Sequence, residues 1–187
     1  MSLRAVAAAS VAPQPWRNGG GATRELFAWP GGADWQIRVS LADIDADGPF
    51  SAFPDVQRWF AVVEGAGVVL SWPGGDRRVD SAGEPLCFDG ADAPACRLVD
   101  GPTRDLNLML RGGRGGCLSR AHSGRDHADA WPWRACFVAR AARWRGDTFA
   151  EPDQGPLAGG RKVNARHDLT LGLWRRDCEI SRGFPRR

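Results

Sequence analysis

The segment at residues 34–42 reads D-W-Q-I-R-V-S-L-A. Apolar and polar side chains alternate along it, and in an extended strand this period places every second residue on the same face. The apolar face consists of Trp35, Ile37, Val39 and Leu41. The other face carries Gln36, Arg38 and Ser40. The pattern predicts a half-buried β-strand with three polar groups on its second face.

Short segments with the same period follow along the chain. Glycine-rich and proline-rich turns separate them, including Gly65-Ala66-Gly67 and the turn at 73–76. The predicted strands cover residues 58–64, 68–72, 77–80, 86–88, 96–99 and 104–110. Short strands at this spacing are typical of a sandwich or barrel, so we predict an all-β fold.

A break in this pattern predicts two lobes. The segment R-G-G-R-G-G at 111–116 is the best candidate for a linker. Sparser strand patterns follow it at 135–143, 162–165 and 169–176. We therefore expect a first lobe at residues 1–111 and a second, smaller lobe at 112–187.

Composition narrows the class of protein. The 187 residues carry a formal net charge of +3, with 22 acidic residues spread among the arginines. A nucleic-acid surface normally gathers its basic residues with aromatic ones, so we predict that this chain binds no nucleic acid. No apolar stretch has membrane-spanning length, and the five cysteines form no C-x-x-C pair. We expect a soluble cytoplasmic protein with free thiols and no membrane partner.

The densest polar motif is P-W-R-N-G-G-G-A-T-R-E at residues 15–25. Three successive glycines allow a backbone to approach a ligand closely and to present N–H groups to it. No Gly-Lys-Ser/Thr follows, so the motif is not a phosphate-binding loop of that type. A flexible turn before an edge strand explains the composition equally well. The candidate site residues are Trp16, Asn18, Gly19, Gly20, Gly21, Thr23 and Glu25.

A second motif, G-P-F-S-A-F-P at 48–54, is followed closely by Arg58. Phe50 and Phe53 form either ordinary core contacts or the apolar wall of a pocket, with Ser51 and Arg58 as its polar groups.

The third motif is D-L-N-L-M at 105–109. On a strand, Asp105 and Asn107 point to the same face. Either that face lines a polar cavity or it faces solvent. Residue type alone favours the solvent face.

A metal centre has little support in the sequence. The three histidines, His122, His127 and His167, all follow the first lobe and form no H-x-H pair. A divalent ion needs several convergent donors. We therefore expect neither a metal nor another cofactor. Glu25, Glu64 and Asp105 are candidate acid–base groups, but a single carboxylate is weak evidence for catalysis.

Taken in order, these motifs resemble the HutD/Ves family. W-Q-I-R-V-S at 35–40 and F-D-G at 88–90 fit between them, so the resemblance covers about residues 13–111. It implies a bicupin, that is, two fused cupin β-barrels, without the usual cupin metal set. The family is associated with histidine utilisation. Its members are thought to bind a pathway intermediate such as formylglutamate and to act in regulation.

Carried onto this chain, the resemblance makes Arg38 the candidate carboxylate anchor. Asn18, Ser40 and Asn107 would orient amide or formyl groups, and Gly19–Gly21 would form the close backbone edge. Trp16, Phe50 and Phe53 would be apolar walls. Arg58 and Asp105 would either join the site or form an internal salt bridge that supports the loop.

The leading hypothesis is a metal-free bicupin that senses or sequesters a small carboxylate metabolite and moderates histidine utilisation. The alternative is a metal-independent isomerase or hydrolase that uses Glu25 or Asp105 as a base. A third hypothesis is an interaction module without a ligand. An exposed edge strand would allow a homodimer.

Overall fold

A computed structural model of the chain describes residues 4–120, 133–138 and 170–175. Strands provide nearly all the regular structure of these ranges, with single-turn 3₁₀ helices at Ala8–Ser10, Gly32–Asp34 and Gly90–Asp92. In chain order the strands are β1 (Arg4–Ala7), β2 (Gln14–Pro15), β3 (Gly21–Trp29), β4 (Ile37–Ile44), β5 (Gly48–Pro49), β6 (Val56–Glu64), β7 (Val68–Trp72), β8 (Gly75–Val79), β9 (Leu86–Asp89), β10 (Ala95–Leu98), β11 (Thr103–Arg111), β12 (Trp133–Val138) and β13 (Thr170–Arg175). The all-β prediction is confirmed.

Contacts between residues divide the chain into two units, one of residues 11–127 and one of residues 1–10 with 128–187. In the second unit, β13 pairs antiparallel with both β1 and β12. The first strand of the chain therefore belongs to the same unit as the C-terminal residues. A division of the chain at residue 111 does not include this long-range pairing of β1 with β13.

Two of the strands predicted for the second lobe are present. The patterns at 135–143 and 169–176 correspond to β12 and β13. The predicted strand at 162–165 lies outside the described residues. The predicted limits of the two lobes stay a prediction.

The 11–127 unit consists of two antiparallel sheets. One has six strands in the order β2-β3-β4-β11-β6-β9, and the other has four in the order β5-β10-β7-β8. Their facing sides share one core of buried residues, namely Ile44, Phe50, Phe60, Val62, Val68, Leu70, Val79 and Cys96. This arrangement of two short-stranded sheets over one core is that of a cupin-type lobe.

The strand register decides which residues face that core. In antiparallel sheets, directly opposed residues lie on the same face. Asn107 of β11 stands opposite Ser40 of β4 and Phe60 of β6. Because Phe60 belongs to the core, Asn107 and Ser40 face inward as well. The inner face of the six-stranded sheet thus carries polar residues beside apolar ones.

The opposite face of the same sheet is also buried. Leu41 of β4 and Leu106 of β11 alternate with the inward residues, and both are almost fully buried. The prediction of a half-buried strand at 34–42 is wrong in this respect, because β4 buries both of its faces. Trp35 is buried too, but it precedes the strand, which begins at Ile37.

Gly21 begins β3 at a point where two backbones come unusually close. A Cβ atom at this position would lie 2.1 Å from the carbonyl oxygen of Asp43 in β4 and 3.1 Å from the Trp16 ring. Any side chain here would force the first residues of β3 away from β4. The neighbouring Gly20 has no such conflict, since its nearest contact would be 3.4 Å from Asn18.

We expect Gly21→Ala to lower the free energy of unfolding by about 1–3 kcal/mol, the usual cost of forcing extra volume into a packed site. Gly20→Ala is the matched control and should cost much less. Chemical denaturation of both variants, followed by tryptophan fluorescence, checks this. Equal stability of the two variants would contradict the close approach of β3 and β4.

Candidate functional site

Seven of the predicted site residues share the inner face of the six-stranded sheet. We call this set the inner polar row, and its members are Thr23, Glu25, Arg38, Ser40, Arg58, Asp105 and Asn107. They come from β3, β4, β11 and β6, which are adjacent strands in the sheet. Sheet pairing therefore brings together residues that are up to 84 positions apart, from Thr23 to Asn107.

Arg58 is the more deeply buried of the two arginines in the inner polar row, with 7% of its surface exposed. Its guanidinium carbon lies 4.3 Å from the centroid of the Phe50 ring and 5.5 Å from that of Phe88. Burial lowers the pKa of Arg58 to about 10, against the opposing effect of Asp105. The group therefore stays positively charged at neutral pH.

The guanidinium of Arg58 is held through one nitrogen. Its Nε donates to Oδ1 of Asn107 at 2.8 Å. None of the carboxylates in the described ranges forms an ion pair with it. A buried cation is normally matched by an anion, so this one is available to an anionic ligand.

Asn107 also contacts Asp105, and this contact fixes the direction of its amide. Its Nδ2 donates to Oδ1 of Asp105 at 2.5 Å, which leaves Oδ1 of Asn107 to accept from Arg58. Of the two alternatives for Arg58 and Asp105, the internal salt bridge is not present as a direct contact. Asn107 lies between them and links the two groups by hydrogen bonds.

Asp105 is 1% exposed, and Asn107 is 2% exposed. Both face the interior, so the solvent-face interpretation of the D-L-N-L-M motif is wrong, and the polar cavity stays a prediction. Burial raises the pKa of Asp105 to about 7, although Arg58 and the hydrogen bond from Asn107 act to lower it. Asp105 is therefore partly protonated at neutral pH.

Arg38 differs from the role predicted for it. Its Nε donates to Oε2 of Glu25 at 2.8 Å, with the two side chains 18% and 39% exposed. The predicted carboxylate anchor thus already binds a carboxylate of the chain, nearer to solvent than Arg58. Arg38 nonetheless adds positive charge to the inner face, because it contributes to the lowered pKa of Arg58.

The glycine motif is a turn that satisfies its own hydrogen bonds. The amide of Gly19 donates to the carbonyl of Trp16 at 3.0 Å, and that of Gly20 donates to Oδ1 of Asn18 at 3.1 Å. Gly19 has a φ of 70°, which suits glycine. These amides are used within the loop, so the turn interpretation accounts for them. Asn18 itself is exposed.

The aromatic residues of the first two motifs divide between two clusters. Trp16 packs against the main core, and its Nε1 donates to Oγ1 of Thr23 at 2.7 Å. Phe50 packs on Arg58 and on Phe60. Phe53 instead joins a second cluster formed by Trp35, Val56 and Met109. Ser51 is exposed and lies outside both clusters.

Two inward residues were missed as site candidates. Phe88 of β9 lies opposite Arg58, and its presence in the F-D-G motif was the available signal. Trp72 of β7 packs edge-on against Phe88, with ring centroids 5.5 Å apart. The alternation of β7 turns Trp72 inward, but only the fold shows that it meets Phe88, which comes from the other sheet.

The outer face holds a charged groove of about 480 Å³ that sequence reasoning also missed. Asp43 accepts from Arg24 and from Arg104, each at 2.5 Å, and Arg104 also pairs with Glu64 at 3.0 Å. These charges neutralise one another, and the two arginines hold the pKa of Asp43 below its ordinary value against the effect of its burial. The groove lies on the opposite face of the sheet from Arg58.

Metal ligands and membrane spans were sought in the described ranges. There, no group of three or more His, Cys, Asp and Glu side chains is arranged to hold a metal ion. His122, His127 and His167 lie outside these ranges. Within the same ranges, no helix is both long enough and apolar enough to span a membrane.

The raised pKa of Asp105 predicts a pH-dependent stability. Between the ordinary value of 3.8 and about 7, the folded protein retains a proton that the unfolded chain releases. The free energy of unfolding therefore falls as the pH rises through this window, by up to about 1.4 kcal/mol per pH unit. Asp105→Asn keeps the acceptor for Asn107 and removes the titration.

Urea denaturation of the wild type and of Asp105→Asn between pH 4 and 8 measures this effect. We expect the stability of the wild type relative to the variant to decline as the pH rises towards 7 and then to level off. If the difference in the free energy of unfolding between wild type and Asp105→Asn did not change with pH, Asp105 would be ionised in the folded protein over the whole range from pH 4 to 8.

Comparison with known proteins gives a consistent set of relatives. The model of the HutD family matches residues 8–163. Protein Ves of Citrobacter koseri is 32% identical over 144 residues, which are 75% of this chain and 74% of that protein. Protein Ves of Cronobacter sakazakii is 35% identical over 97 residues, 51% of this chain and 54% of that protein.

A further relative is an uncharacterised 21.2 kDa protein in the hutC 3′ region of Pseudomonas putida. It is 37% identical over 99 residues, 51% of each chain. The chain thus spans about half the length of the Cronobacter and Pseudomonas putida relatives that it matches.

Two solved structures share the fold over nearly the whole chain. HutD from Pseudomonas fluorescens SBW25 is 26% identical, with a TM-score of 0.58 over 93% of this chain and 94% of that one. PA5104 from Pseudomonas aeruginosa PAO1, a conserved protein of unknown function, is 27% identical, with a TM-score of 0.61 over 94% and 92%. The resemblance seen in the motifs is confirmed, and this chain belongs to the HutD family.

Proposed function

We propose that the inner polar row binds a small carboxylate metabolite without the help of a metal, and that Arg58 is its anchor. One observation carries this proposal. A buried guanidinium, charged at neutral pH, has a single hydrogen bond and no ion pair within the part of the chain that the structure describes. A carboxylate fits the two remaining nitrogens as a two-pronged partner.

The surroundings of Arg58 support a preformed site. The rings of Phe50 and Phe88 limit the movement of the guanidinium, while Asn107 fixes its rotation. A group that is already in place loses little conformational entropy on binding. The apolar rings also keep water away, and this strengthens an ionic hydrogen bond.

Ser40 and Arg38 extend the site along the same face. Ser40 lies opposite Asn107, and Arg38 and Arg58 flank Met109 on its two neighbouring strands. Arg38 is already paired with Glu25, so a second ligand carboxylate would reach it only in competition with Glu25. We propose a dicarboxylate of the formylglutamate kind, with one carboxylate on Arg58 and the other towards Arg38.

Membership of the HutD family supports a proposed setting in histidine utilisation. One relative lies in the hutC 3′ region of Pseudomonas putida. We propose that this chain senses or sequesters a carboxylate intermediate and thereby moderates histidine utilisation. Binding without turnover is sufficient for that role.

Calorimetric titration tests the anchor. N-formylglutamate, glutamate, histidine and urocanate are each titrated into chelator-treated wild type, Arg58→Lys and Arg97→Lys. Lysine keeps the charge at position 58 and loses the planar fork, so we expect Kd for the bound carboxylate to rise about 10- to 100-fold. Arg97 is exposed on β10 and serves as the control, for which we expect no change.

Arg38→Gln is measured in the same series. We expect a smaller rise in Kd than for Arg58→Lys, because Arg38 already pairs with Glu25. If Arg38→Gln raised Kd more than Arg58→Lys does, Arg38 rather than Arg58 would be the residue that anchors the carboxylate. If none of the four compounds binds to folded wild type, the proposed function is wrong.

A metal-independent enzyme remains the second candidate, on the strength of one observation. The pKa of Asp105, raised by burial to about 7, is in the range that suits a general acid or base. Proton NMR of each compound incubated with the chelator-treated protein distinguishes the two functions. Unchanged spectra support a binding protein, and conversion that Asp105→Asn abolishes supports an enzyme.

A further inference from the structure

A buried hydrogen-bond donor without a partner lies beside the Arg58 site. Three buried side-chain polar atoms in the described ranges have no hydrogen-bond partner, namely Gln36 Oε1, Trp59 Nε1 and Trp72 Nε1. Of these three residues, only Trp72 packs against the main core of the 11–127 unit. Leaving a buried N–H group unpaired is unfavourable, so its presence needs an explanation.

The position of Trp72 follows from the alternation of β7. Val68 and Leu70 are fully buried in the core, and Trp72 is the next residue of the same parity. Its indole therefore extends towards the six-stranded sheet. Trp59 is different, because it alternates with Arg58 and Phe60 on β6 and lies on the outer face.

Phe88 connects Trp72 to Arg58. The centroid of its ring lies 5.5 Å from that of Trp72, edge-on, and 5.5 Å from the guanidinium carbon of Arg58. The indole N–H without a partner and the guanidinium without an ion pair in the described residues thus share one aromatic neighbour. A ligand held by Arg58 that extended along the Phe88 ring would meet the indole.

We propose that Trp72 is a specificity-determining residue, whose Nε1 donates to an uncharged carbonyl oxygen of the ligand that Arg58 holds by a carboxylate. This inference rests on the proposed function. An indole N–H only donates, so it selects an acceptor. The ligand would then carry an acylated nitrogen rather than a free amine.

The carboxylates of the inner face agree with this choice. A free ammonium group requires an acceptor, and Glu25 and Asp105 are the carboxylates of the inner polar row. Glu25 is already paired with Arg38, and Asp105, whose pKa burial raises to about 7, accepts from Asn107. Neither of them offers an ammonium group a full and unneutralised negative charge, so we expect an N-acyl amino acid rather than the free amino acid.

Calorimetry with two ligands tests the role of Trp72. N-formylglutamate carries the acyl oxygen, whereas glutarate has both carboxylates and no acyl group. Trp72→Phe removes the N–H and retains an aromatic ring against Phe88. We expect Kd for N-formylglutamate to rise about tenfold and Kd for glutarate to stay unchanged, as fits the loss of one hydrogen bond.

Two variants complete the comparison. Trp59→Phe makes the same chemical change on the outer face and should alter neither Kd. Arg58→Lys should weaken both ligands. The role of Trp72 is overturned if Trp72→Phe binds both ligands as wild type does, or if it loses affinity equally for both. Neither result contradicts the binding site at Arg58. Wild type that binds neither ligand overturns the proposed function as well.

A spectroscopic measurement on the wild type stands independently of how well Trp72→Phe folds. The indole N–H resonance of Trp72 is assigned by triple-resonance NMR of labelled protein. We expect it to move downfield on addition of N-formylglutamate and to stay near its free position with glutarate. The same response to both ligands would contradict the proposed contact with the acyl oxygen.

Discussion

The hydrogen bond from Arg58 to Asn107 is the contact on which the interior of the first unit depends. Transferring a guanidinium out of water is costly, and a hydrogen bond to a neutral amide offsets only part of that cost. The core around it could instead be wholly apolar. The chain nevertheless places a charge there and fixes it from one side, and its other nitrogens have no partner in the described residues. This is the observation behind the proposal of an anion site.

Asp105 and Asn107 form a supporting chain behind that charge. Asp105 accepts from the amide of Asn107, and this decides that the amide oxygen faces Arg58. Its carboxyl group is buried enough to be partly protonated near neutral pH, so its negative charge is reduced. A fully ionised Asp105 in direct contact would compete with a ligand for the guanidinium. Because Asn107 lies between Asp105 and Arg58, it fixes the orientation of the guanidinium without neutralising its charge.

The alternation of apolar and polar residues in the sequence predicted much of this arrangement. Residues 34–42 predicted a strand with Arg38 and Ser40 on one face, and residues 105–109 predicted Asp105 and Asn107 on another, as observed in β4 and β11. The alternation of residues alone does not determine which face of a strand points towards the core. Because β4 and β11 bury apolar side chains on their outer faces as well, the usual rule that the apolar face is the core failed here.

Other features depended on contacts that no local pattern contains. A bulge between Glu25 and Phe27 leaves Ala28 opposite Arg38 and Glu25 opposite Ser40. The ion pair of Arg38 with Glu25 is therefore a diagonal contact, and it was not foreseen. The pairing of β1 with β13 joins the two ends of the chain. Trp72 reaches Phe88 from the opposite sheet. The sequence thus predicted most of the polar residues that the fold brings together on the inner face, and their role in a site stays a prediction.

A crystal structure of the protein with N-formylglutamate bound tests the role of Arg58 most directly. We expect a ligand carboxylate on the two terminal nitrogens of Arg58, next to the rings of Phe50 and Phe88. A ligand in the outer groove beside Arg24 and Arg104, or another side chain of the protein on the free side of Arg58, would contradict this role.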